Sequence, residues 1–255
     1  MFSALTFNIQ NGQNWDDARP DDVSVNLDAT VEFLCEQDAD VVFLQEVEMG
    51  YEGGKQVEPP PNYEYLRKAL TGYDSVFGYP LPNPVEIPFG LGLAIFSKTP
   101  LKDFFRLNLP PAKVSFEFAG VPRQPSHRLL IGADTVVEGQ SVRLMNVHLQ
   151  AFFMINTTSN EHHTQRDLVE TELRNCEGPA LLGGDFNCAP GETVIPQYEK
   201  AGFHASQASE VTWRRMPMVL DHIFYNSPLR LESCQVIPTL ASDHHAVRSE
   251  FSFAK

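Results

Sequence analysis

The segment PALLGGDFNCAP, residues 179–190, carries the clearest structural signal in this chain. It begins as an apolar run and passes through two glycines. It then places Asp185 and Asn187 on one face of an extended chain, with Phe186 on the other face. The apolar run predicts a buried β-strand. The polar residues after it predict that the strand end presents a carboxylate and a carboxamide to one point, as a binding or catalytic site requires.

The same arrangement recurs, because five other apolar segments begin or end with polar side chains. These polar residues are Asn8, Glu46, Asn146, His148, Asp221, His222, Asp243, His244 and His245. Taken one at a time they fit ordinary caps and turns, and Asp185 with Asn187 fits an Asx turn as well as a site. Their shared position at strand ends favours one common site, which rigid strands would hold in place.

The set is rich in oxygen ligands, which suit Mg²⁺, Mn²⁺ or Ca²⁺. A zinc enzyme built on His148, His244 and Asp243 is an alternative, but the chain lacks the H-x-x-x-H or thiolate spacing of such sites. Carboxylates, an asparagine and a carboxylate-bound histidine can together orient a water molecule and stabilise a phosphoester under attack. The residue types therefore predict metal-dependent hydrolysis of a phosphoester.

The composition is that of a globular chain with an acidic surface. Its 255 residues are 42% hydrophobic and carry a formal net charge of -14, without a Lys/Arg run. This charge argues against tight non-specific binding to nucleic acid, although a carboxylate-bound cation can still hold a phosphate. The sequence shows no basic, apolar leader and no apolar run of about 18 residues. We therefore expect a cytoplasmic protein with no stable membrane insertion.

Hydrophobic periodicity predicts an α/β chain in which strands outnumber helices. Helices are predicted over 19–37, 63–70, 160–175 and 191–201, and Pro-rich loops over 50–62 and 79–90. The segments RLLIGADTVV and SVRLMNVHLQ predict a strand pair joined at EGQ. No repeat or linker divides the chain. We expect one domain over residues 1–255, with two packed sheets and helices outside them.

Six segments in chain order resemble the motifs of the endonuclease/exonuclease/phosphatase superfamily. They are TFNIQNG, LQEV, NVHL, GGDFN, LDHIFYN and SDHHAV, and the resemblance covers residues 3 to 253. It implies an α/β (α+β) four-layer sandwich, with two packed mixed β-sheets flanked by helices. It also implies a phosphoester hydrolase that uses Mg²⁺ or Mn²⁺.

Carried over by position, the resemblance implies a role for each motif residue. Glu46 would be the main metal ligand, helped by Asn8 and Asp243. Asp185 would orient and polarise the attacking water, and Asn187 would hold that water or a phosphate oxygen. His244 would contact the scissile phosphate with its ring fixed by Asp221, and His148 would be a second phosphate contact or an acid.

The substrate is the least determined part of the prediction. A phosphodiester cleaved in a nuclease-like reaction comes first, and a lipid head group or a small phosphate ester is the alternative. Leu93 replaces a polar residue that many nucleases of the family carry, which favours the alternative. The local cationic groupings are substrate-binding candidates or surface ion pairs: Arg123, Arg128, Trp213 and Arg214. We expect a monomer, and a non-catalytic binding module on this fold is a remote alternative.

Overall fold

The computed structural model describes residues 1–22, 24–49, 56–83 and 90–254. Parts of the two predicted Pro-rich loops, residues 50–55 and 84–89, lie outside the described residues. The helices of the described ranges are α1 (Leu27–Gln37), α2 (Pro61–Ala69), α3 (Thr164–Arg174) and α4 (Val194–Lys200). No helix in these ranges has the length and apolar character needed to cross a membrane.

The strands, numbered in chain order, form two six-stranded sheets. In spatial order the first sheet contains β15 (Leu229–Ile237), β16 (Ala246–Phe253), β1 (Phe2–Asn8), β4 (Val41–Glu48), β6 (Leu91–Ser97) and β5 (Asp74–Gly78). The second contains β13 (Phe203–Ala205), β14 (Asp221–Asn226), β12 (Ala180–Asp185), β11 (Gln140–His148), β10 (Arg128–Val137) and β7 (Lys102–Leu109). Two short ribbons pair β2 (Gln13–Asn14) with β3 (Ser24–Val25), and β8 (Phe116–Phe118) with β9 (Val121–Arg123).

Each sheet contains one parallel pair, which positions the predicted site. In the first sheet β1 runs parallel to β4, and Asn8 pairs with Gln45. In the second sheet β11 runs parallel to β12, and His148 pairs with Asp185. Because parallel strands end at the same edge of a sheet, each pair brings its polar terminal residues together. The other strand pairs of both sheets are antiparallel, so both sheets are mixed.

Three apolar layers hold the sheets and helices together. The middle layer lies between the sheets and includes Phe43, Ile95, Ile131, Leu181 and Phe251. The outer layers pack α1 and α2 on the first sheet, and α3 and α4 on the second. The predicted four-layer sandwich is therefore confirmed.

A buried polar network also joins the two sheets. Asn146 on β11 donates to the carbonyl oxygens of Leu44 (2.8 Å) and Ala94 (2.9 Å) in the first sheet. Its Oδ1 accepts a 2.7 Å hydrogen bond from Gln45 Nε2. Since unpaired buried amides are costly, these bonds fix how the sheets align. Asn146 thus lies between the sheets rather than at the strand ends where the sequence suggested it.

The predicted start of the first helix needs correction, and one long strand was not predicted. The first helix begins at Leu27 rather than at residue 19, because Asn26 caps it by accepting from the backbone nitrogen of Ala29. The residues before it form turns and β3. Strand β7 was not predicted. Most of its residues are exposed or half-buried, as expected of an edge strand, and this weakens the apolar signal.

The two glycines at positions 183 and 184 permit a close approach around β12. A Cβ atom at Gly183 would lie 2.3 Å from Cδ2 of Phe43 in the facing sheet. A Cβ atom at Gly184 would lie 2.2 Å from the carbonyl oxygen of Val147 on the neighbouring strand. The glycines thus let the end of β12 lie close to both the first sheet and β11.

Replacing either glycine with alanine should destabilise the fold. We expect Gly183→Ala and Gly184→Ala each to lower the free energy of unfolding by about 1–3 kcal/mol, because each overpacks a filled space. Gly184→Ala should cost more, since it meets a backbone carbonyl. Urea denaturation measures both changes. Gly72→Ala is the matched control, with no atom within 4 Å of the added carbon. Equal stability of all three variants would contradict the close approach.

Candidate active site

Six of the predicted polar residues line a cleft of about 540 Å³ at the ends of both parallel strand pairs. Glu46 on β4 and His148 on β11 line it, together with Asp185 at the end of β12. Asn187, Asp243 and His244 also line it. Each sheet thus supplies part of one site.

Asp185 is the centre of this group. Its Oδ2 accepts a 3.0 Å hydrogen bond from Asn8 Nδ2, which also donates to Glu46 Oε1 at 3.2 Å. The Nε2 atom of His148 lies 3.5 Å from the same Asp185 oxygen, and that of His244 lies 3.9 Å from it. The other Asp185 oxygen accepts from the backbone nitrogen of Asn187 at 2.9 Å. Four of the predicted residues, Asn8, His148, Asn187 and His244, therefore surround one carboxylate.

The backbone around Glu46 is irregular in a way that turns this residue into the cleft. The register between β4 and β6 shifts between Gln45 and Glu48, and Glu46 has a φ of 50°. A bulge of this kind redirects a side chain at a strand end. Gly90 lies against Glu46, where an added Cβ would come within 2.3 Å of Oε2. The strand irregularity and this contact fix the position of the Glu46 carboxylate.

Burial and like charges raise the pKa values of two carboxyl groups. Burial raises the pKa of Asp185 to about 7, and repulsion from Asp221 adds to this effect. Burial also raises the pKa of Glu46, with further repulsion from Asp243. The site thus gathers more negative charge than its own donors neutralise. A cation or a proton would relieve it.

His244 and Asp221 form a buried pair. His244 Nδ1 lies 2.8 Å from Asp221 Oδ2, and both side chains are almost fully buried. Burial alone would lower the His244 pKa. The charge and hydrogen bond of Asp221, with the charges of Asp185 and Asp243, outweigh burial and raise that pKa to about 10. His244 is therefore an imidazolium at neutral pH, and its second nitrogen can donate to an anion.

His148 has the opposite character. Burial lowers its pKa well below the usual value, and the positive charges of Arg128 and His244 lower it further. Its Nδ1 atom lies 3.5 Å from a terminal nitrogen of Arg128. The two histidines of the site thus differ in charge at neutral pH, one neutral and one cationic.

Asp243 lies beside this group and is held by two donors. Its Oδ2 accepts from Trp213 Nε1 at 3.2 Å and from Arg215 Nε at 2.9 Å. Trp213 in turn packs on His244, with ring centroids 6.2 Å apart, and on Phe153 at 5.7 Å. The apolar wall of the cleft therefore reaches the charged residues through Trp213.

The structure separates the predicted substrate-binding residues. Arg128 and Trp213 line the cleft, whereas Arg123 and Arg214 do not. Arg214 instead pairs with Asp17 at 3.3 Å and donates to the carbonyl oxygen of Thr239 at 2.6 Å. Its neighbour Arg215 lines the cleft in its place. Sequence reasoning chose Arg214 from the cationic segment of residues 213–215, although the two-residue alternation of an extended chain places Arg215 on the same side as Trp213.

Two further side chains lie away from the reacting groups. Leu93 is buried between the sheets, so it says nothing about the substrate. Leu91, two residues earlier on β6, lines the cleft instead. His222 is buried, with Nδ1 lying 3.0 Å from the carbonyl oxygen of Gln207, and its ring packs on Phe186.

The sequence profile of the Endonuclease/Exonuclease/phosphatase family matches residues 5–244. The chain belongs to this family.

Three relatives show what this family member is similar to. A tyrosyl-DNA phosphodiesterase 2 from Xenopus tropicalis is 29% identical over 195 residues, which are 76% of this chain and 42% of that protein. The solved structure of D. rerio TDP2 with a single-strand DNA product has a TM-score of 0.70 at 18% identity, over 98% of both chains. A mannosyl-6-phosphatase from Bacteroides thetaiotaomicron has a TM-score of 0.67 at 16% identity, over 99% of this chain and 100% of that one.

These matches differ in what they establish. At such identities the two solved structures show the shared fold. The chain spans about two-fifths of the length of the curated relatives that it matches, 41% and 42%. The names of the relatives describe phosphoester hydrolases, one of them a phosphodiesterase and one a phosphatase.

Two groups of side chains in this family member could hold a divalent cation. One is Glu46 with Asp243, beside Asn8, which directs its amide nitrogen rather than its oxygen at Glu46 and Asp185. The other is Asp185, Asp221 and His244, whose possible ligand atoms lie within 4.8 Å of one another. In the second group the hydrogen bond between Asp221 and His244 already uses one ligand atom of each residue. An ion there would compete with that bond, so the first group fits a hard cation better.

The charge on His244 should depend on Asp221. In Asp221→Asn we expect the pKa of His244 to fall from about 10 by roughly two units or more, because the opposing charge is lost while burial remains. Histidine NMR titration of the metal-free protein measures the value. His204, which is exposed, is the internal control. An unchanged His244 pKa would show that Asp221 is not its main charge partner.

Proposed function

We propose that the chain is a divalent-metal-dependent phosphodiesterase in which water attacks the phosphorus in a nuclease-like reaction. The observation that carries this proposal is the convergence of Asn8, His148 and His244 on Asp185, with Glu46 joined to the group through Asn8. It joins an oxygen-rich carboxylate group, a neutral histidine and a cationic histidine at one end of a cleft. Groups of these three kinds can bind a metal ion and stabilise the charge that develops when a phosphodiester is hydrolysed.

The residues present fit a hard cation. Burial raises the pKa of Glu46, and the charge of Asp243 raises it further, so a cation would relieve a repulsion that the protein compensates only in part. The Oδ1 atom of Asp221 is buried without a hydrogen-bond partner among the described residues, which adds to the negative field. Glu46 and Asp243 would hold Mg²⁺ or Mn²⁺, with Asn8 positioning Glu46. The bound ion would neutralise charge on the phosphate oxygens.

Asp185 is the group that we assign to the water. Its pKa of about 7 lets the carboxylate accept a proton near neutral pH. Asn187 fixes one Asp185 oxygen through its backbone nitrogen, and its side chain donates to the carbonyl oxygen of Leu149 at 3.0 Å. The Asp185 carboxylate is therefore held in one orientation, as attack along a single line requires.

The two histidines act on the phosphate. His244 carries a positive charge, and Asp221 fixes its ring, so its Nε2–H can donate to a non-bridging oxygen. His148 is neutral and lies across Asp185 from it, with its Nε2 atom 3.5 Å from that carboxylate. A second donor there supports the charge that develops on the phosphate.

A diester with an aromatic substituent fits the rest of the cleft best. Phe116 and Phe118 of the β8–β9 ribbon line one wall, and Phe153 and Trp213 line another. Aromatic walls favour a base or an aryl group next to the phosphate. The similarity to a tyrosyl-DNA phosphodiesterase supports the same choice. The exposed side chain of Met154 on this rim favours a lipid head group as the second candidate.

Both sheets contribute residues to the site, so we also propose that residues 1–255 form one catalytic domain. The monomeric state and the cytoplasmic location stay predictions.

Replacement of Asp185 tests the proposed reaction. We expect wild-type protein to hydrolyse bis(p-nitrophenyl) phosphate with Mg²⁺ or Mn²⁺ and to lose activity in EDTA. Asp185→Asn, which keeps the shape but cannot accept the proton, should reduce kcat by about 100-fold or more. Asp103→Asn on the exposed edge strand is the matched control. Activity that survives EDTA, or an unchanged rate in Asp185→Asn, would contradict the proposal. Cleavage of p-nitrophenyl phosphate alone would make the protein a monoesterase.

The aromatic wall predicts the substrate class. We expect cleavage of a 5′-phosphotyrosyl oligonucleotide to exceed that of phospholipid in detergent micelles, and to fall as salt is added. Phe153→Ala should lower kcat/KM for the tyrosyl substrate by about three- to tenfold, because it removes a ring from the wall. Phe104→Ala, on an exposed ring of β7, is the control. Faster cleavage of the micellar lipid would favour the second candidate.

A further inference from the structure

The carboxylate of Asp243 is held by one of its two oxygens. Oδ2 accepts hydrogen bonds from Arg215 Nε (2.9 Å) and from Trp213 Nε1 (3.2 Å). Oδ1 lies 3.5 Å from the hydroxyl of Ser242, which makes a shorter bond of 2.7 Å to the carbonyl oxygen of Asn8. Oδ2 is therefore fully engaged by protein donors. Oδ1 is the oxygen that retains capacity for another ligand.

Arg215 is itself fixed by a second part of the chain. Its guanidinium lies over the ring of Trp15, 5.0 Å from the centroid. One terminal nitrogen pairs with Asp21 at 3.2 Å, and the other donates to the carbonyl oxygen of Pro20 at 3.2 Å. These contacts use the donors of the planar group in a fixed geometry. The Asp243 carboxylate is thus tied through Arg215 to the segment of residues 15–21.

We propose that Arg215 is a positioning residue that holds Asp243 by Oδ2, so that Oδ1 is presented to a divalent cation, and thereby sets the affinity of the site for that cation. This inference rests on the metal dependence in the proposed function. Arg215 lines the cleft, and its side chain is 30% exposed, whereas that of Asp243 is 6% exposed. The Asp243 carboxylate of this ion pair is therefore largely shielded from solvent. Loss of the guanidinium would leave that carboxylate without its strongest donor.

The direction of the change in cation affinity separates a positioning role of Arg215 from a purely electrostatic one. Arg215 is a cation close to a cation site, so its charge alone weakens binding of a metal ion, and its removal would strengthen binding. A positioning role predicts the opposite, since groups that orient a metal ligand typically contribute 10- to 100-fold in affinity. If a variant that has lost this positive charge binds the cation more weakly, Arg215 therefore acts by positioning Asp243.

Arg214 provides a matched control. It is the next residue, carries the same charge and ties the same segment through Asp17. It does not line the cleft, and its guanidinium contacts are with Asp17 and the carbonyl oxygen of Thr239. A variant at this position therefore removes a charge and a tie to residues 15–21 without touching the Asp243 carboxylate.

The test is titration calorimetry of Mn²⁺ into the substrate-free protein. We expect Arg215→Gln to weaken Mn²⁺ binding by roughly 10- to 100-fold. Arg215→Lys should lie between Arg215→Gln and wild type, because it keeps the charge and loses the planar fork. Arg214→Gln should bind as wild type does. Trp213→Phe removes the other Oδ2 donor and should weaken binding in the same direction. It carries the test if Arg215→Gln does not fold, as judged by circular dichroism.

Three results would overturn the inference, and they can be told apart. If the wild type binds Mn²⁺ and Arg215→Gln binds it equally or more tightly, only the proposed role of Arg215 is overturned. Equal weakening in Arg214→Gln and Arg215→Gln would attribute the effect to the segment of residues 15–21, and would also overturn it. A wild-type protein that binds no Mn²⁺ would overturn the metal dependence of the proposed function as well.

Discussion

The hydrogen bond from Asn8 Nδ2 to Asp185 Oδ2, 3.0 Å long, joins the ends of the two sheets at the site. Asn8 ends β1 of the first sheet, and Asp185 ends β12 of the second. The bond needs the sheets to lie close together. Gly183 permits this approach, and the hydrogen bond between Gln45 and Asn146 aligns the sheets. The distance between the two sheets therefore determines whether Asn8 and Asp185 can meet at the site.

The residues that meet at this point are costly to bury. The pKa values of Asp185 and Glu46 are both raised by burial, so the folded chain holds their charges at the expense of stability. Asp221 and His244 compensate part of this charge, and Arg215 compensates Asp243. A cation that binds only the folded state would stabilise the protein further. The part of this negative charge that stays uncompensated is thus a physical reason for the site to bind a cation.

Much of the site could be predicted from the sequence, because strand ends are a local signal. The apolar runs before Glu46, His148 and Asp185 mark their strands, and parallel pairing brings those ends together. Arg214 and Leu93 were misjudged for a different reason. Which side of a turn or strand a residue occupies depends on packing between distant segments, such as the pairing of Trp213 with both Met218 and His244. The start of α1 was also missed, because its cap at Asn26 follows acidic residues that themselves suggest a helix start.

The position of the bound cation shows which of the two groups of side chains holds it. A crystal grown with Mn²⁺, with data collected near the manganese absorption edge, would locate the ion by its anomalous scattering. We expect the peak within coordination distance of the Glu46 carboxylate, next to Asn8, with the hydrogen bond between Asp221 and His244 intact. A peak held by Asp221 and His244, with none at Glu46, would contradict the assignment of the ligands and of the His244 charge.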